Sequence, residues 1–149
     1  KSYLSRHFIE MNEHLIYQLF LKNKESVTAE DFKEFKKVMQ IRGGMTFSKL
    51  KLEFNEEFHI VDKNTIKRNV SLELDSELLE HIENCLDMFL EQADVIDSEK
   101  FRGYRLFPSI NQKWNKYILK RICETYFNKK FVIEVTENDN YLLRRINHE

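Results

Sequence analysis

The strongest constraint on this fold is an amphipathic stripe between residues 75 and 96, DSELLEHIENCLDMFLEQADVI. Apolar side chains recur near the 3.6-residue period of an α-helix, at Leu78, Leu79, Ile82, Cys85, Leu86, Phe89 and Leu90. The other side carries carboxylates, at Glu80, Glu83, Asp87, Glu91 and Asp94. Asp75 or Ser76 can begin the helix and place a polar cap at its positive end. The pattern predicts a helix with one buried face and one acidic face.

Only three glycines and one proline occur in 149 residues, which favours long helices and short connections. A first helix is predicted over residues 3–23, where apolar side chains recur at Phe8, Met11, Leu15, Leu19 and Phe20. Thr28 is placed to cap a second helix, with Asp31 three residues later in a capping-box arrangement. Gly43 and Gly44 are predicted to stop this helix.

Two shorter helices are predicted next. Thr46 can cap one over residues 47–57, and Asp62 can cap another over residues 62–70. Residues 58–61 form a connector or a short strand in this prediction. Two short helices with a tight connector have the outline of a helix-turn-helix, although the turn contains no glycine.

The C-terminal third is predicted to combine a helix with a β-hairpin. A short helical turn at residues 98–104 and a loop at Pro108 precede a helix over residues 109–127, capped by Ser109. The inward-facing side chains of that helix are expected to be Ile110, Trp114, Tyr117, Ile118, Ile122 and Tyr126. Strands FVIEV and YLLRRI follow, joined by the turn-forming segment TENDN. The predicted fold class is mainly helical, an α+β domain with a C-terminal β-hairpin.

Composition narrows the functional classes. No apolar run approaches the roughly 18 residues that a membrane-spanning helix needs, so we expect no membrane partner and a cytoplasmic location. Cys85 and Cys123 fall at inward-facing helical positions, which favours buried thiols over a disulfide. No glycine-rich phosphate loop is present, and no cofactor is expected. Because the chain opens on Lys1 and not on Met, we expect a module of a larger intracellular protein.

Charge is strongly segregated along the chain. Residues 71–97 contain nine acidic residues and no Lys or Arg, whereas residues 98–130 contain nine Lys or Arg and two acidic residues, a net of +7. The change of sign predicts two parts. Residues 1–97 form a helical region that ends in the acidic helix, and residues 98–149 form a basic helix plus hairpin, packed with it as one domain.

The basic segment supplies a candidate nucleic-acid-binding surface. Lys113, Lys116 and Lys120 have the i, i+3, i+7 spacing of one helical face. The full candidate set is Arg102, Arg105, Gln112, Lys113, Asn115, Lys116, Lys120, Lys129 and Lys130. Lys and Arg neutralise phosphates, and Gln and Asn can bind base edges.

The order of elements over residues 98–146, a basic helix and then a hairpin, resembles a winged-helix nucleic-acid-binding domain. That resemblance implies duplex DNA as partner, with the helix in the major groove and the hairpin beside it. It depends on the order of elements and on no residue motif.

Other interpretations remain open at this stage. The lysines could be the solvated face of an amphipathic helix. The acidic helix could pair with the basic segment inside the fold. Alternatively, the acidic helix or the hairpin edge could form a protein–protein interaction surface. An enzyme has the least support, and no metal is expected. His7, Glu10 and His14 share a helical face, but the sequence offers no fourth ligand to close the shell.

Overall fold

A computed structural model describes the backbone of residues 6–146 and the side chains of residues 12–146. It confirms an α+β fold with a C-terminal β-hairpin. The chain divides into two compact units, Lys1–Val70 and Ser71–Glu149. The boundary therefore precedes the acidic helix instead of following it near residue 97. Among the described residues, no helix is both long enough and apolar enough to cross a membrane.

Within the described residues, the first unit combines three helices with a three-stranded antiparallel sheet of order β1-β3-β2. Its elements are α1 (Arg6–Leu21), β1 (Ser26–Thr28), α2 (Ala29–Val38), α3 (Phe47–Glu53), β2 (His59–Asp62) and β3 (Thr65–Lys67). The core of the unit contains the fully buried side chains of Tyr17, Val27, Leu50 and Ile66.

Local capping confirms several predictions in the first unit. Thr28 and Asp31 form the predicted capping box at α2, and Thr46 caps α3. Residues 3–5 of the first predicted helix lie outside the described residues. Helix α2 ends at Val38, before the predicted glycines, because Gln40 adopts a positive φ of 58°. The following amide of Ile41 then bonds the carbonyl of Lys36, as in a Schellman motif.

The prediction of a helix over residues 62–70 is wrong, and so is the helix-turn-helix outline that depended on it. Residues 62–67 instead belong to the β2–β3 hairpin, and residues 68–70 follow it without regular secondary structure. Asp62 does not cap a helix, because its carboxylate accepts the amide of Asn64 at 2.9 Å and closes the turn. Helix α3 also ends at Glu53, short of the predicted residue 57.

Arg68, directly after β3, places its guanidinium at the end of α1. Arg68 donates from Nε to the carbonyl of Lys24 at 2.8 Å and from Nη2 to the carbonyl of Leu21 at 2.9 Å. Its guanidinium also lies 4.3 Å from the ring centroid of Phe58. Arg68 therefore binds the Leu21 carbonyl at the C-terminus of α1, which the Lys24 amide also bonds at 3.2 Å, and the Lys24 carbonyl beyond the helix.

The second unit also has a three-stranded antiparallel sheet, of order β4-β6-β5. Its elements are α4 (Ser76–Gln92), β4 (Ile96–Asp97), a 3₁₀ helix (Gly103–Leu106), α5 (Lys116–Tyr126), β5 (Phe131–Val135) and β6 (Tyr141–Arg145). Helices α4 and α5 and the sheet share one hydrophobic core, which includes Leu86, Ile122 and Leu143, each 0 % exposed. Asp75, one of the two residues predicted to begin α4, is its N-cap.

The basic helix is shorter than predicted. Helix α5 begins at Lys116 rather than near Ser109, because Asn115 is its N-cap and accepts the amides of Tyr117 and Ile118 at 3.0 Å. The preceding segment is held as a loop by Trp114, whose Nε1 donates to the carbonyl of Pro108 at 2.8 Å. Lys113 therefore does not share a helical face with Lys116 and Lys120.

The link between α4 and α5 also differs from the predicted helical turn at residues 98–104. Ser98 is buried, and its hydroxyl accepts the amide of Tyr141 at 2.8 Å, next to β4. The helical turn falls later, from Gly103. A Cβ on Gly103 would stand 2.7 Å from Cζ of Phe101 and would also overlap the ring of Phe89. The close approach of these rings requires glycine at this position.

Candidate functional site

Helix α5 is packed into the second unit along most of its length. Its residues 116–123 are all buried or half-buried, and Ile118, Leu119, Ile122 and Cys123 belong to the core. Full exposure is limited to its last turn, at Glu124, Thr125 and Tyr126. A helix that enters a DNA groove needs an exposed polar face. This helix presents little of one.

The basic residues predicted on that helix contact neighbours within the unit. Lys116 donates to the side-chain oxygen of Asn140 at 2.8 Å. Lys120 lies 3.8 Å from Glu124, one turn later. The Asn115 side-chain oxygen is used as the helix cap. These groups help to hold α5 in place.

Lys130 bonds the acidic helix. Its Nζ lies 2.8 Å from an oxygen of Asp87 and 3.2 Å from an oxygen of Glu83. Arg145 on β6 reaches Asp87 as well, with 3.1 Å between Nη2 and Oδ1. Of the interpretations left open by the sequence, internal pairing of the acidic helix is confirmed for Glu83 and Asp87.

The charges in this cluster change one another's proton affinity. Burial alone would raise the pKa of Asp87, but hydrogen bonds from Lys130 and Arg145, together with their positive charges, outweigh it and lower that pKa. Burial alone would lower the pKa of Lys130, but its bonds to Asp87 and Glu83 raise that pKa above its ordinary value. Both groups are therefore held in their charged forms.

Four of the predicted cations are exposed: Arg102, Arg105, Lys113 and Lys129. Arg102 donates to the carbonyls of Glu99 and Phe101, which are its neighbours in the chain. For the side chains of Arg105, Lys113 and Lys129, no hydrogen bond or ion pair with another described residue is found. Gln112 is half-buried. The surface available to a phosphate is therefore formed by loops and the 3₁₀ helix, and not by α5.

A second candidate surface is the outer edge of β5. Strand β6 is central in the sheet and β5 has no other strand neighbour among the described residues. The amide of Thr136 bonds the carbonyl of Asn140, and the amide of Ile146 bonds the carbonyl of Lys130, both at 2.9 Å. In an antiparallel pair, main-chain groups face the partner at alternate residues.

That alternation fixes which groups face outward. Given the register of β5 on β6, the main-chain groups of Val132 and Glu134 face β6. Those of Phe131, Ile133 and Val135 face away from it. The Phe131 amide bonds the carbonyl of Phe127 at 2.9 Å. Its carbonyl, and both main-chain groups of Ile133 and Val135, remain on the open edge.

The side chains at this edge are partly apolar. Val135 is 61 % exposed and Val132 is 43 % exposed. Glu134 lies on the solvent face of the sheet and binds Arg144 at 3.0 Å. No lysine or proline interrupts the strand, although such residues often protect edges from strand pairing.

The two thiols are unsuited to nucleophilic chemistry. Cys85 and Cys123 are buried and free. Burial raises the pKa of Cys123 to about 12, and the charge of Glu124 adds to the shift. Burial also raises the pKa of Cys85, whose Sγ donates to the carbonyl of Leu106. Both thiols are protonated at neutral pH, and thiolates are the reactive form.

The histidine face suggested by the sequence is described only in part, because the side chains of His7 and Glu10 lie outside the described residues. His14 Nδ1 lies 2.9 Å from a carboxylate oxygen of Glu53, and the His14 ring stacks on Phe54 with centroids 5.0 Å apart. Within the part of the chain that the structure describes, no cluster of three or more His, Cys, Asp or Glu side chains could hold a metal ion.

Sequence reasoning missed the structural use of two basic residues in the first unit. Arg68 binds the end of α1, and Lys51 is 2 % exposed, with its Nζ donating to the carbonyl of Lys63 at 3.1 Å. Neither position carries a local signal, since the carbonyls that these side chains bind come from other elements.

Comparisons of the chain with protein-family models, with curated proteins and with solved structures found no match.

Proposed function

We propose that this chain is a non-catalytic interaction module of a larger cytoplasmic protein, and that it binds an extended partner segment along the outer edge of β5. The observation that carries the proposal is the outward-facing main chain of Ile133 and Val135. The side chain of Val135 is also 61 % exposed. Two buried, free cysteines fit a reducing compartment, which supports the cytoplasmic assignment.

Strand addition explains how such an edge binds. The main-chain groups of a partner strand would pair with the open groups of β5 and supply affinity, while alternate side chains would supply specificity. On the solvent face, the partner would meet Val132 and Glu134. On the other face, it would meet Val135 at the end of the strand. An extended segment with β-branched residues fits these neighbours.

The experiment is a selection of random short peptides against the folded chain. The test variant is Val135→Pro, because proline removes an outward-facing amide without breaking the ladder to β6. The matched control is Val135→Thr, which keeps the amide and the β-branched side chain. We expect enriched peptides that bind the parent and Val135→Thr and fail to bind Val135→Pro.

Trp114 fluorescence and circular dichroism would establish that both variants are folded. If every selected peptide binds the parent and folded Val135→Pro equally well, the β5 edge is not the binding surface and the proposal is wrong.

The second candidate is binding of duplex DNA, as the winged-helix resemblance implies. It is favoured by the exposed cations Arg105, in the 3₁₀ helix, and Lys113 and Lys129, in loops, for which the described residues offer no partner. This candidate would contact phosphates without a helix in the groove, and such contacts carry no sequence preference.

Salt dependence tests this second candidate. Each lost phosphate contact should reduce the slope of log affinity on log salt by about 0.9. The triple variant Arg105→Ala, Lys113→Ala, Lys129→Ala should therefore have a much smaller slope than the parent. Lys120→Ala is the control, because Lys120 is already next to Glu124. Identical slopes for parent and triple variant would exclude phosphate binding by these residues.

A further inference from the structure

We propose that a groove beside α2, in the first unit, binds a segment of a partner protein that carries a basic residue next to a large apolar residue. The groove lies between one face of α2 and the C-terminal end of α1, and its volume is about 600 Å³. We call it the α2 groove. Three apolar side chains and three carboxylates line it: Phe20, Phe35 and Val38, and Glu25, Asp31 and Glu34. Because the first unit alone forms this groove, the proposal does not depend on strand addition at β5.

The apolar surface of the α2 groove follows from the way in which α2 packs. Phe32 belongs to the core of the unit, whereas Phe35 is half-buried and stacks on Phe20 with ring centroids 4.3 Å apart. Val38, at the end of the helix, is 61 % exposed. Phe35 and Val38 are three residues apart and therefore lie on the same face of α2. A partner that covers this face would remove apolar area from water, which favours binding.

The carboxylates of the α2 groove are only partly used within the fold. Asp31 accepts the amide of Thr28 at 2.9 Å, as part of the capping box. Glu25 and Glu34 are exposed, and neither side chain has a hydrogen bond or ion pair with another described residue. Glu34 lies one helical turn before Val38 and shares its face of α2. The groove therefore offers two unpaired negative charges beside an apolar surface.

One cation, Lys24, also lines the α2 groove, but its ammonium group is bonded at the end of α1. Its Nζ donates to the carbonyl of Phe20 at 2.6 Å and lies 4.6 Å from the centroid of the Phe20 ring. A cation is favourable there, because the last carbonyls of a helix carry the negative end of its dipole. With three carboxylates and this one ammonium, the lining of the groove has a net charge of −2.

Charge complementarity identifies the chemistry of the partner. A Lys or Arg side chain can lie with its aliphatic stem on the ring of Phe35 and its charge beside Glu34. A large apolar residue of the same segment would then cover Val38. Because Glu34 and Val38 are about 6 Å apart along the helix axis, the two partner residues would be four apart in a helix or two apart in a strand.

Other classes of ligand fit the α2 groove less well. Phosphates and acidic segments would meet the unpaired carboxylates and be repelled. A metal ion needs a closed set of ligands, and no group of three or more His, Cys, Asp or Glu side chains in the described part of the chain could hold one. A neutral apolar molecule would use the surface of Phe35 and Val38 but neither Glu25 nor Glu34.

Selection of random short peptides against the folded chain tests the site and the chemistry of its partner together. We expect one class of enriched peptides to carry Lys or Arg and a large apolar residue at one of the two spacings. Glu25→Lys combined with Glu34→Lys should weaken their binding at least about tenfold, because attractive charge pairs become repulsive. The matched control combines Glu30→Lys with Glu56→Lys, which reverses two exposed carboxylates outside the groove and should leave binding nearly unchanged.

A second pair of variants tests the apolar contact. Val38→Ser should weaken the same peptides by about fivefold, because their apolar residue loses its contact on α2. Leu52→Ser is the control, since Leu52 on α3 is 62 % exposed and lies outside the groove. Peptides of this class should bind Val135→Pro as tightly as the parent, which separates them from peptides that pair with β5.

Circular dichroism would establish that each variant is folded. If the charge reversal unfolds the chain, Glu25→Gln combined with Glu34→Gln removes the same charges with little change of shape and should still weaken binding. If no selected peptide responds to Glu25 and Glu34 while ignoring the control pair, the α2 groove is not a binding site. Responding peptides that carry no Lys or Arg would overturn the assigned chemistry. A dimer of the chain that the charge reversal dissociates would show that the occupant is a second copy, and would overturn the proposed partner.

Discussion

Arg68 and Lys51 in the first unit contrast with Lys130 in the second unit in the groups that they bind. In the first unit, Arg68 and Lys51 donate to main-chain carbonyls at the ends of local elements. In the second unit, Lys130 donates to the carboxylates of an acidic helix. A carbonyl that loses its donor inside a fold is left unsatisfied, whereas a half-exposed carboxylate can turn to water.

That difference changes how the charge pattern of the sequence is understood. From the sequence, the basic run at 98–130 was a candidate nucleic-acid-binding surface, and the acidic run at 71–97 could either pair with it inside the fold or form an interaction surface. At Glu83, Asp87 and Lys130, the two runs meet inside one unit. A local excess of one charge is therefore a reliable sign of a ligand surface only where the opposite charge is out of reach.

The largest effect on stability is expected from removing a buried side chain from one of the two cores. We expect Leu86→Ala to lower the free energy of unfolding of the second unit by about 2–5 kcal/mol, because Leu86 is fully buried and leaves a cavity. Trp114 is the one tryptophan of the chain and reports on this unit. The control is Leu50→Ala, which is equally buried in the first unit. Equal shifts of the Trp114 urea midpoint by both variants would contradict two separate cores.

The second-largest loss of stability is expected from replacing Arg68, whose guanidinium binds main-chain carbonyls. Arg68→Met keeps much of the side-chain volume. It leaves the Lys24 carbonyl without the Arg68 donor and removes one of two donors to the Leu21 carbonyl, which the Lys24 amide also bonds, at an expected loss of about 1–3 kcal/mol. Lys130→Met in the second unit removes only half-exposed ion pairs and should lose about 0–1 kcal/mol. Urea unfolding followed by circular dichroism measures both. A larger loss for Lys130→Met would reverse the comparison.

The Asp87 cluster should give a smaller, pH-dependent effect. Because the pKa of Asp87 is lower in the folded state, its contribution to stability is present above its ordinary pKa of 3.8 and is lost as the pH falls through the folded value. Asp87→Asn should therefore destabilise the second unit at neutral pH and have little effect in strong acid. A difference from the parent that stays constant across this range would show that Asp87 acts through packing and not through charge.

The exposed loop cations should affect stability least. Lys113→Ala and Lys129→Ala are each expected to change the free energy of unfolding by no more than about 0.5 kcal/mol, as is usual at surface positions without partners. Lys116→Ala should cost more, because Lys116 at the start of α5 bonds Asn140 in the turn between β5 and β6. Thermal unfolding of the three variants side by side would detect the order, and an equal loss at Lys113 would show a contact that the structure lacks.

Local signals were sufficient for much of the fold. The apolar stripe of α4 and the capping box of α2 are each formed by residues close together in the sequence, and both are found where predicted. Side chains that serve two kinds of structure were misleading. Asp62 can cap a helix or close an Asx turn, and Ser109 and Asn115 can both begin α5. Tertiary pairing decides between such alternatives, and it has no local signature.

Contacts between residues that are distant in the sequence limited what could be predicted about the candidate site. Strands β1 and β4 were not predicted, since they have three and two residues and pair with strands that are distant in sequence. The sequence also identified Lys130 as a cation without showing that Asp87, 43 positions away, is its partner. The hairpin itself was predictable from its alternation and turn residues. Its exposed side, which depends on register, was not.

Amide hydrogen exchange along β5 tests the central claim, that this edge is open and accepts a strand. In dilute solution, the amides of Ile133 and Val135 should exchange quickly, while those of Val132 and Glu134, bonded to β6, should exchange slowly. Adding a peptide selected against the folded chain, one that fails to bind Val135→Pro, should slow exchange at Ile133 and Val135 and leave the other two unchanged. Strong protection of Ile133 and Val135 without peptide would show that the edge is already covered within the chain, and would contradict the account.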